Sequence, residues 1–204
     1  MSIHRITSLV AVLALTTLGA TGASAAVAVG AKAPAFSLAG ADGKTHALAD
    51  YAGKVVVLEW FNEECPYVQK HYGTKNMQGL QRDYAARGVV WLSVISSAPG
   101  KQGHATPAEA AATVAELGAV PAAMLLDASG TVGQAYGAKT TPHMYVIGTD
   151  GTLLYQGAID DDPSFKQEGV ATAKSYVRQA LDEVLAGKPV TEASTTPYGC
   201  SVKY

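Results

Sequence analysis

The sequence predicts an α/β fold in which helices flank a central mixed β-sheet. Val55–Phe61 and Val89–Ser96 are apolar and rich in β-branched residues without alternation, which is typical of strands buried on both faces. Segments of helical character separate such strands, and this alternation is typical of α/β domains. Asp42-Gly43 and Asp150-Gly151 each lie between short apolar segments, so the sequence predicts a hairpin near either end of the domain.

Residues 1–25 predict a secretory signal peptide rather than part of the fold. Arg5 precedes an apolar run from Ile6 to Leu18, and the segment ends in Ala23-Ser24-Ala25. An uncleaved membrane anchor is the weaker alternative, because the run is shorter than the roughly 20 residues that span a bilayer. We therefore expect a periplasmic or secreted protein in an oxidising compartment, where two cysteines are able to pair.

The composition of the chain argues against nucleic acid and membrane lipid as binding partners. The chain has 204 residues and a formal net charge of −2, with no basic stripe that would favour nucleic acid or anionic lipid. No second long apolar run follows the signal, so no membrane contact is expected of the mature form, and no motif indicates a cofactor. The length suits one domain, residues 26–187, followed by a tail, residues 188–204, that has no clear periodicity.

The remaining elements follow from local signals. Pro66 is placed to begin a short helix, Asn76–Arg87 continues as a second, and Thr106 is placed to cap a third. Ala122–Asp127 predicts a further strand. Apolar residues repeat along one face of Val170–Ala186, which predicts an amphipathic helix.

Cys65 follows a predicted buried strand and directly precedes the helix that begins at Pro66. The N–H groups and dipole of a helix N-terminus favour a thiolate, which is the reactive form of cysteine. Glu63 and Glu64 directly before it favour the neutral thiol. The sequence leaves open which effect is larger, and a buried inert cysteine is the alternative.

Four stretches distributed along the chain from about Gly30 onward resemble one family. They are GAKAPAFSLAGADGKTHALADYAGK, VVVLEWFNEECPYVQKHY, GAKTTPHMYVIGTDGTLLYQGAIDD and YGCSVKY. The chain resembles the redoxins of the alkyl hydroperoxide reductase/thiol-specific antioxidant family. Within that family it is similar to exported peroxiredoxin-like proteins with a Cys-Pro-Tyr-Val motif and a Gly-Cys-Ser-Val-Lys tail. The resemblance implies a thioredoxin-like fold with an N-terminal β-hairpin, and a cis-proline loop at Thr141-Pro142 that faces Cys65.

Two motifs of such proteins are incomplete here. A thioredoxin has Cys-x-x-Cys, but Asn62 and Val68 stand at the two positions that flank Cys65 at this spacing. A peroxiredoxin has Pro-x-x-x-Thr-x-x-Cys, and Leu58 and Asn62 replace the proline and the threonine. The threonine that would orient a peroxide is therefore missing, although the Asn62 amide is able to donate a hydrogen bond.

Cys200 in the tail is the second thiol of the chain. If peroxide converts Cys65 to a sulfenic acid, Cys200 is a candidate resolving thiol, and it is equally a partner for disulfide exchange. Two alternatives stay open. The pair forms a permanent bridge that holds the tail to the domain, or the sulfurs lie too far apart to pair.

Two histidines and a run of three aspartates are further candidates for the site. The resemblance implies that His143 lies within reach of Cys65, where it would act as a base or as a charged neighbour. As an alternative, Cys65, His143 and Cys200 would together bind copper or zinc. His71 is expected to be a surface or packing residue. Asp160, Asp161 and Asp162 are expected to form a solvated turn.

These observations favour an exported thiol-dependent oxidoreductase with antioxidant activity. The expected site consists of Cys65, Cys200, Asn62, Thr141, Pro142 and His143. Its partners would be a peroxide or a protein thiol or disulfide, together with an external thiol reductant. The alternatives are a non-enzymatic thioredoxin-fold binding module with a fixed Cys65–Cys200 disulfide, and a copper- or zinc-binding redoxin.

Overall fold

The computed structural model describes residues 26–204, so the predicted signal peptide lies outside the described residues. The strands are β1 (Ser37–Gly40), β2 (Thr45–Ala47), β3 (Val56–Trp60), β4 (Val90–Ile95), β5 (Ala123–Leu126), β6 (Thr140–Thr141), β7 (His143–Ile147), β8 (Leu153–Gly157) and β9 (Cys200–Ser201). The helices are α1 (Pro66–Gly73), α2 (Asn76–Ala85), α3 (Pro107–Leu117), α4 (Thr131–Tyr136) and α5 (Tyr176–Leu185), and a 3-10 turn covers Leu48–Tyr51.

Seven strands form one mixed sheet in the order β2-β1-β5-β4-β3-β7-β8. The central strands β3, β4 and β5 are parallel, whereas β7 and β8 continue the sheet in antiparallel pairing on one side. On the other side β1 pairs antiparallel with β5, and β2 completes the N-terminal hairpin. The predicted mixed sheet and both predicted hairpins are confirmed. Within residues 26–204, no helix combines the length and apolar character needed to cross a membrane.

The central strands bury both faces, which explains why their sequences do not alternate. In β3, Val57 packs into a cluster that contains Cys65, while Leu58 and Trp60 pack into a second cluster on the opposite face. Trp91 of β4 packs with Val57, so both tryptophans belong to the core, as their positions predict. Because successive side chains point to opposite faces, each strand contributes to both layers of the fold.

The third helix begins and ends as its sequence predicts. Thr106 is its N-cap and accepts a hydrogen bond from the backbone N–H of Glu109, whose carboxylate accepts one from the backbone of Thr106. This reciprocal pair satisfies two amides that the helix itself leaves free. Gly118 ends the helix in a left-handed conformation, which glycine adopts at little cost.

The last helix is shorter than predicted, because it begins at Tyr176 rather than at Val170. Ser175 is the N-cap, and its hydroxyl accepts a hydrogen bond from the N–H of Arg178 at 3.2 Å. Just before it, the backbone of Lys174 pairs with Asp161, which holds the chain out of helical geometry. The apolar positions before Ser175 therefore fit the helical period without belonging to the helix.

The sequence analysis missed a buried carboxyl group in β3. Glu59 has no exposed surface, and its carboxyl oxygens accept hydrogen bonds from the hydroxyl of Tyr72 at 2.9 Å and the indole N–H of Trp91 at 2.8 Å. Ser93 and Gln81 donate further bonds. Burial raises the pKa of Glu59, and these donors oppose that rise. The cluster ties β3 to β4 and to both helices that follow Cys65.

We predict that Glu59→Ala lowers the free energy of unfolding by about 3–5 kcal/mol, because it leaves several buried donors without an acceptor. Glu59→Gln keeps an acceptor oxygen and should cost less. Because burial raises the pKa of Glu59, its contribution is fully present below pH 4.5 and declines as the pH rises through the raised pKa. In urea unfolding over a pH series, the stability of the wild type relative to Glu59→Gln should fall as the pH rises through the raised pKa, because the titration of all other groups is common to both proteins. A difference in stability that does not change with pH would contradict it.

Candidate active site

Cys65 is held between the end of β3 and the first turn of α1. It is the N-cap of α1, its backbone N–H donates to the carbonyl of Asn62 at 3.1 Å, and Pro66 is the first helical residue. The side-chain oxygen of Asn62 accepts a hydrogen bond from the N–H of Glu64 at 3.0 Å, which shapes the turn before the cysteine. The Cys65 side chain is 0 % exposed. The local sequence thus places a buried sulfur at a helix N-terminus.

The peptide bond between Thr141 and Pro142 is cis, and this loop faces Cys65, as the family resemblance implies. The Cys65 thiol donates a hydrogen bond to the carbonyl oxygen of Thr141 at 3.0 Å. The Thr141 hydroxyl is buried and has no hydrogen-bond partner among the described residues. It is therefore available to donate to Cys65 when the sulfur carries a negative charge.

The tail brings Cys200 to the same place. Strand β9 pairs antiparallel with β6, and Cys200 lies directly opposite Thr141. Gly199 has a φ of 137° and runs so close to the Thr141 carbonyl that a Cβ would overlap it, which only glycine avoids. The Cys65 thiol bonds to the carbonyl of that same Thr141, so the two cysteines, both free in this structure, lie close together. This placement contradicts the alternative in which the sulfurs lie far apart.

The surroundings of Cys65 favour its thiolate. Burial alone raises the pKa of the Cys65 thiol, but hydrogen bonds from the thiol of Cys200 and from Thr141 lower it. Backbone N–H groups of Val68, in the first turn of α1, and of Cys200 add to that effect, and the net pKa lies below the ordinary value. For Cys200 the direction is opposite, because burial and the neighbouring Cys65 both raise its pKa. Of the two cysteines, Cys65 ionises more readily, and Cys200 keeps its thiol proton.

The carboxylates of Glu63 and Glu64 form hydrogen bonds with α3 and with the loop before it. The Glu63 carboxylate accepts a hydrogen bond from the hydroxyl of Thr113 in α3. The Glu64 carboxylate accepts one from the backbone N–H of Gly103 at 2.9 Å. The sequence left open whether the pKa of Cys65 is raised or lowered. The groups that do most to lower it, Cys200 and Thr141, are distant in sequence.

His143 does not reach the thiol, which corrects the expectation drawn from its position after Pro142. Its Nδ1 accepts a hydrogen bond from the N–H of Lys139 at 3.2 Å and lies 3.0 Å from the hydroxyl oxygen of Tyr145. The next residue, Met144, packs in the cluster that contains Cys65, so alternation along β7 directs His143 to the opposite face of the sheet. Burial, and then Lys139, lower the pKa of His143 to about 3.

A buried polar cluster beside α1, missed by the sequence analysis, holds the tail in place. We call it the tail anchor; it consists of Lys70, His71, Asp160, Asp162 and Tyr198. The hydroxyl of Tyr198 donates to Asp160 and lies 3.2 Å from Nε2 of His71. Lys70 pairs with Asp162 at 3.1 Å and lies 5.5 Å from the centre of the Tyr198 ring. Since Tyr198 is two residues before Cys200, the tail anchor fixes the approach of the second thiol.

The tail anchor corrects one expectation and decides another. Asp160 is only 3 % exposed, so it does not belong to a solvated turn, whereas Asp161 is exposed. His71 is fully buried, which makes it a packing residue rather than a surface one. Burial, followed by the charge of Lys70, lowers the pKa of His71 to about 3, so the ring is neutral. Asn76 donates to Nδ1 of His71 at 3.0 Å, which leaves Nε2 to carry the proton toward Tyr198. No local signal in the sequence indicates this cluster, because Lys70 and its partner Asp162 are 92 residues apart.

The fold and the paired thiols define the class of protein as a thioredoxin-like redoxin. The sequence model of the AhpC/TSA family matches residues 29–156, and the chain belongs to that family. No curated protein sequence matches the chain at a significant level.

Solved structures of similar proteins support the same fold. An uncharacterized conserved protein from Geobacillus kaustophilus is 29% identical with a TM-score of 0.74, over 87% of this chain and 92% of that one. A hypothetical protein from Sinorhizobium meliloti 1021 is 27% identical with a TM-score of 0.76, over 89% and 97% of the two chains. The exposed lipoprotein thioredoxin Etrx1 from Streptococcus pneumoniae strain TIGR4 is 26% identical with a TM-score of 0.51, over 74% and 99%.

We predict that Thr141→Val raises the pKa of Cys65, because it removes a buried hydroxyl that has no other partner among the described residues and is free to donate to the thiolate. A rise of one unit would cut the thiolate population about tenfold near neutral pH. The rate of alkylation by iodoacetamide as a function of pH measures this pKa. Thr141→Ser keeps the hydroxyl and is the matched control. An unchanged pKa in Thr141→Val would contradict the assignment.

We predict that the protein loses stability as the pH falls below about 6.5, because His71 and His143 are neutral when folded and gain protons on unfolding. Their folded-state pKa lies below the unfolded value, so the stability is present above pH 6.5 and lost on the way to about pH 3. Each histidine contributes up to about 1.4 kcal/mol per pH unit. His143→Asn should make the decline shallower in urea unfolding, and an unchanged slope would count against this account.

Proposed function

We propose that the protein is an exported thiol-dependent oxidoreductase in which Cys65 reacts with the oxidant and Cys200 resolves the product. The observation that carries this proposal is the pairing of β9 with β6, because it puts Cys200 opposite Thr141, whose carbonyl accepts the Cys65 thiol at the N-terminus of α1. One thiol has a lowered pKa and the other a raised pKa, so one is prepared to attack and the other keeps its proton. Membership of the AhpC/TSA family supports a redox role.

The proposed reaction consists of two displacements, the first at a peroxide oxygen and the second at the sulfur of Cys65. The Cys65 thiolate attacks a peroxide oxygen, the O–O bond breaks, and the products are a sulfenic acid and, after protonation, water or an alcohol. The Cys200 sulfur then attacks the sulfenic sulfur, which forms the Cys65–Cys200 disulfide and releases water. An external thiol reductant returns both cysteines to the thiol state.

Other residues of the site have distinct parts in this proposal. The hydroxyl of Thr141 stabilises the thiolate, and Pro142 shapes the loop that presents the Thr141 carbonyl to Cys65. Asn62 holds the turn before Cys65 through its bond to Glu64. His143 has no part in the reaction, because its hydrogen bonds direct it to the other face of the sheet.

The arrangement favours a small peroxide over a protein as the oxidising substrate. A peptide that paired with the edge of β6 would have to displace β9, which already occupies that edge. The Cys65 sulfur is also buried, so an oxidant with little bulk reaches it at the least cost in displaced contacts.

A fixed disulfide in a non-enzymatic binding module is the second candidate function. The burial of Cys65 and the anchored tail favour it, because both would protect a bridge from reduction. The copper or zinc alternative has less support. The His143 ring faces the side of the sheet opposite the Cys65 cluster, and residues 26–204 contain no group of three or more histidine, cysteine or acidic side chains suited to hold a metal.

Export rests on the first 25 residues, whose charge, apolar run and small-residue end fit a signal peptide. The pneumococcal relative is described as an exposed lipoprotein, which agrees with a redox role outside the cytoplasm. In such a compartment a reversible cysteine pair needs a dedicated thiol reductant, since the surroundings favour disulfides.

We predict that one equivalent of hydrogen peroxide converts the reduced protein to the Cys65–Cys200 disulfide, as followed by non-reducing peptide mass mapping over time. Cys200→Ser should stop at the sulfenic acid, which dimedone labels on Cys65. Cys65→Ser should consume no peroxide. A wild-type Cys65 that stays a thiol for hours would contradict the oxidoreductase, and a bridge that resists mild reductant from the start would favour the binding module.

A further inference from the structure

The two cysteines of the site differ in their exposure to solvent. Cys65 is 0 % exposed and packs within the core cluster that also contains Phe61 and Val68. Cys200 is only partly buried, at the rim of that cluster, and its neighbour Ser201 is exposed. A disulfide between them would therefore have an inner and an outer sulfur.

Thiol–disulfide exchange depends on which sulfur the incoming thiolate can approach. The entering sulfur approaches the attacked sulfur from the side opposite the leaving sulfur. An attack on Cys65 would have to come from its side away from Cys200, where the core is packed. An attack on Cys200 comes from its side away from Cys65, where the tail meets solvent.

We propose that an external dithiol reopens the Cys65–Cys200 disulfide by attacking the sulfur of Cys200, with Cys65 as the leaving thiolate. This inference rests on the proposed function, because it concerns the disulfide formed there. The first thiolate of the reductant forms a mixed disulfide with Cys200 as the intramolecular S–S bond breaks. The second thiol of the reductant then attacks the reductant sulfur of this mixed disulfide. The reductant leaves as an intramolecular disulfide, and Cys200 leaves as a thiolate that takes up a proton.

The charges around the pair act in the same direction. A thiol with a low pKa leaves faster, and the pKa of Cys65 is the lower of the two. The ammonium group of Lys203 lies on the Cys200 side, where its charge attracts an approaching thiolate. The two cysteines therefore divide the cycle between them. The oxidant is received by the inner sulfur, and the reductant docks against the tail at the outer one.

The test identifies the sulfur that a monothiol captures. The bridge is formed with diamide, so that the result does not depend on reactivity toward peroxide. Glutathione is then added briefly, free thiols are blocked with N-ethylmaleimide, and both cysteine peptides are mapped by mass. We expect glutathione on Cys200 and the maleimide on Cys65, in at least tenfold excess over the reverse pattern. The same protein unfolded in urea is the control and should show both patterns in comparable amounts.

Three results would overturn the inference. They are glutathione mainly on Cys65, a folded protein that labels both cysteines as evenly as the unfolded one, and a bridge that glutathione does not open within hours. These outcomes are separable from a failure of the proposed function. If diamide forms the bridge and glutathione opens it at Cys200 while peroxide leaves Cys65 unchanged, the peroxidase step fails and the inference stands. If diamide forms no bridge, both fail.

Discussion

The candidate site depends on the short antiparallel pairing of Cys200–Ser201 with Thr140–Thr141. Without it, Cys65 would be a single thiol at a helix N-terminus, with no partner supplied by the chain. Further bonds extend the pairing, from the N–H of Val202 to the carbonyl of Lys139 and from the hydroxyl of Tyr204 to the carbonyl of Ala138. The tail is thus a structural component of the site.

The same pairing explains the electrostatics of the two thiols. It places the thiol and the backbone N–H of Cys200 beside the Cys65 sulfur. Both donors offset part of the free-energy cost of burying the Cys65 thiolate. Burial excludes water that would otherwise solvate the thiolate, so the few donors that remain have a large effect. The tail anchor stabilises this arrangement through Tyr198, which bonds to Asp160 and His71.

The sequence predicted local features better than long-range ones. The cap at Thr106, both hairpins and the buried strands follow from neighbouring residues, and the structure confirms them. Strand β9 was not predicted, because two residues carry no periodicity and the partner lies far away in sequence. Glu59 and the tail anchor were missed for the same reason, since each buried charge is explained only by partners from other elements.

The central claim is that Cys65 and Cys200 form a reversible redox pair rather than a fixed bridge. The most direct test is the reduction potential of the pair. The protein is equilibrated in dithiothreitol buffers of known potential, alkylated, and the bridged fraction is quantified. The account predicts one reversible two-electron transition with a midpoint above about −300 mV, the upper limit typical of structural disulfides. A midpoint well below that value, or no bridge at any potential, would contradict it.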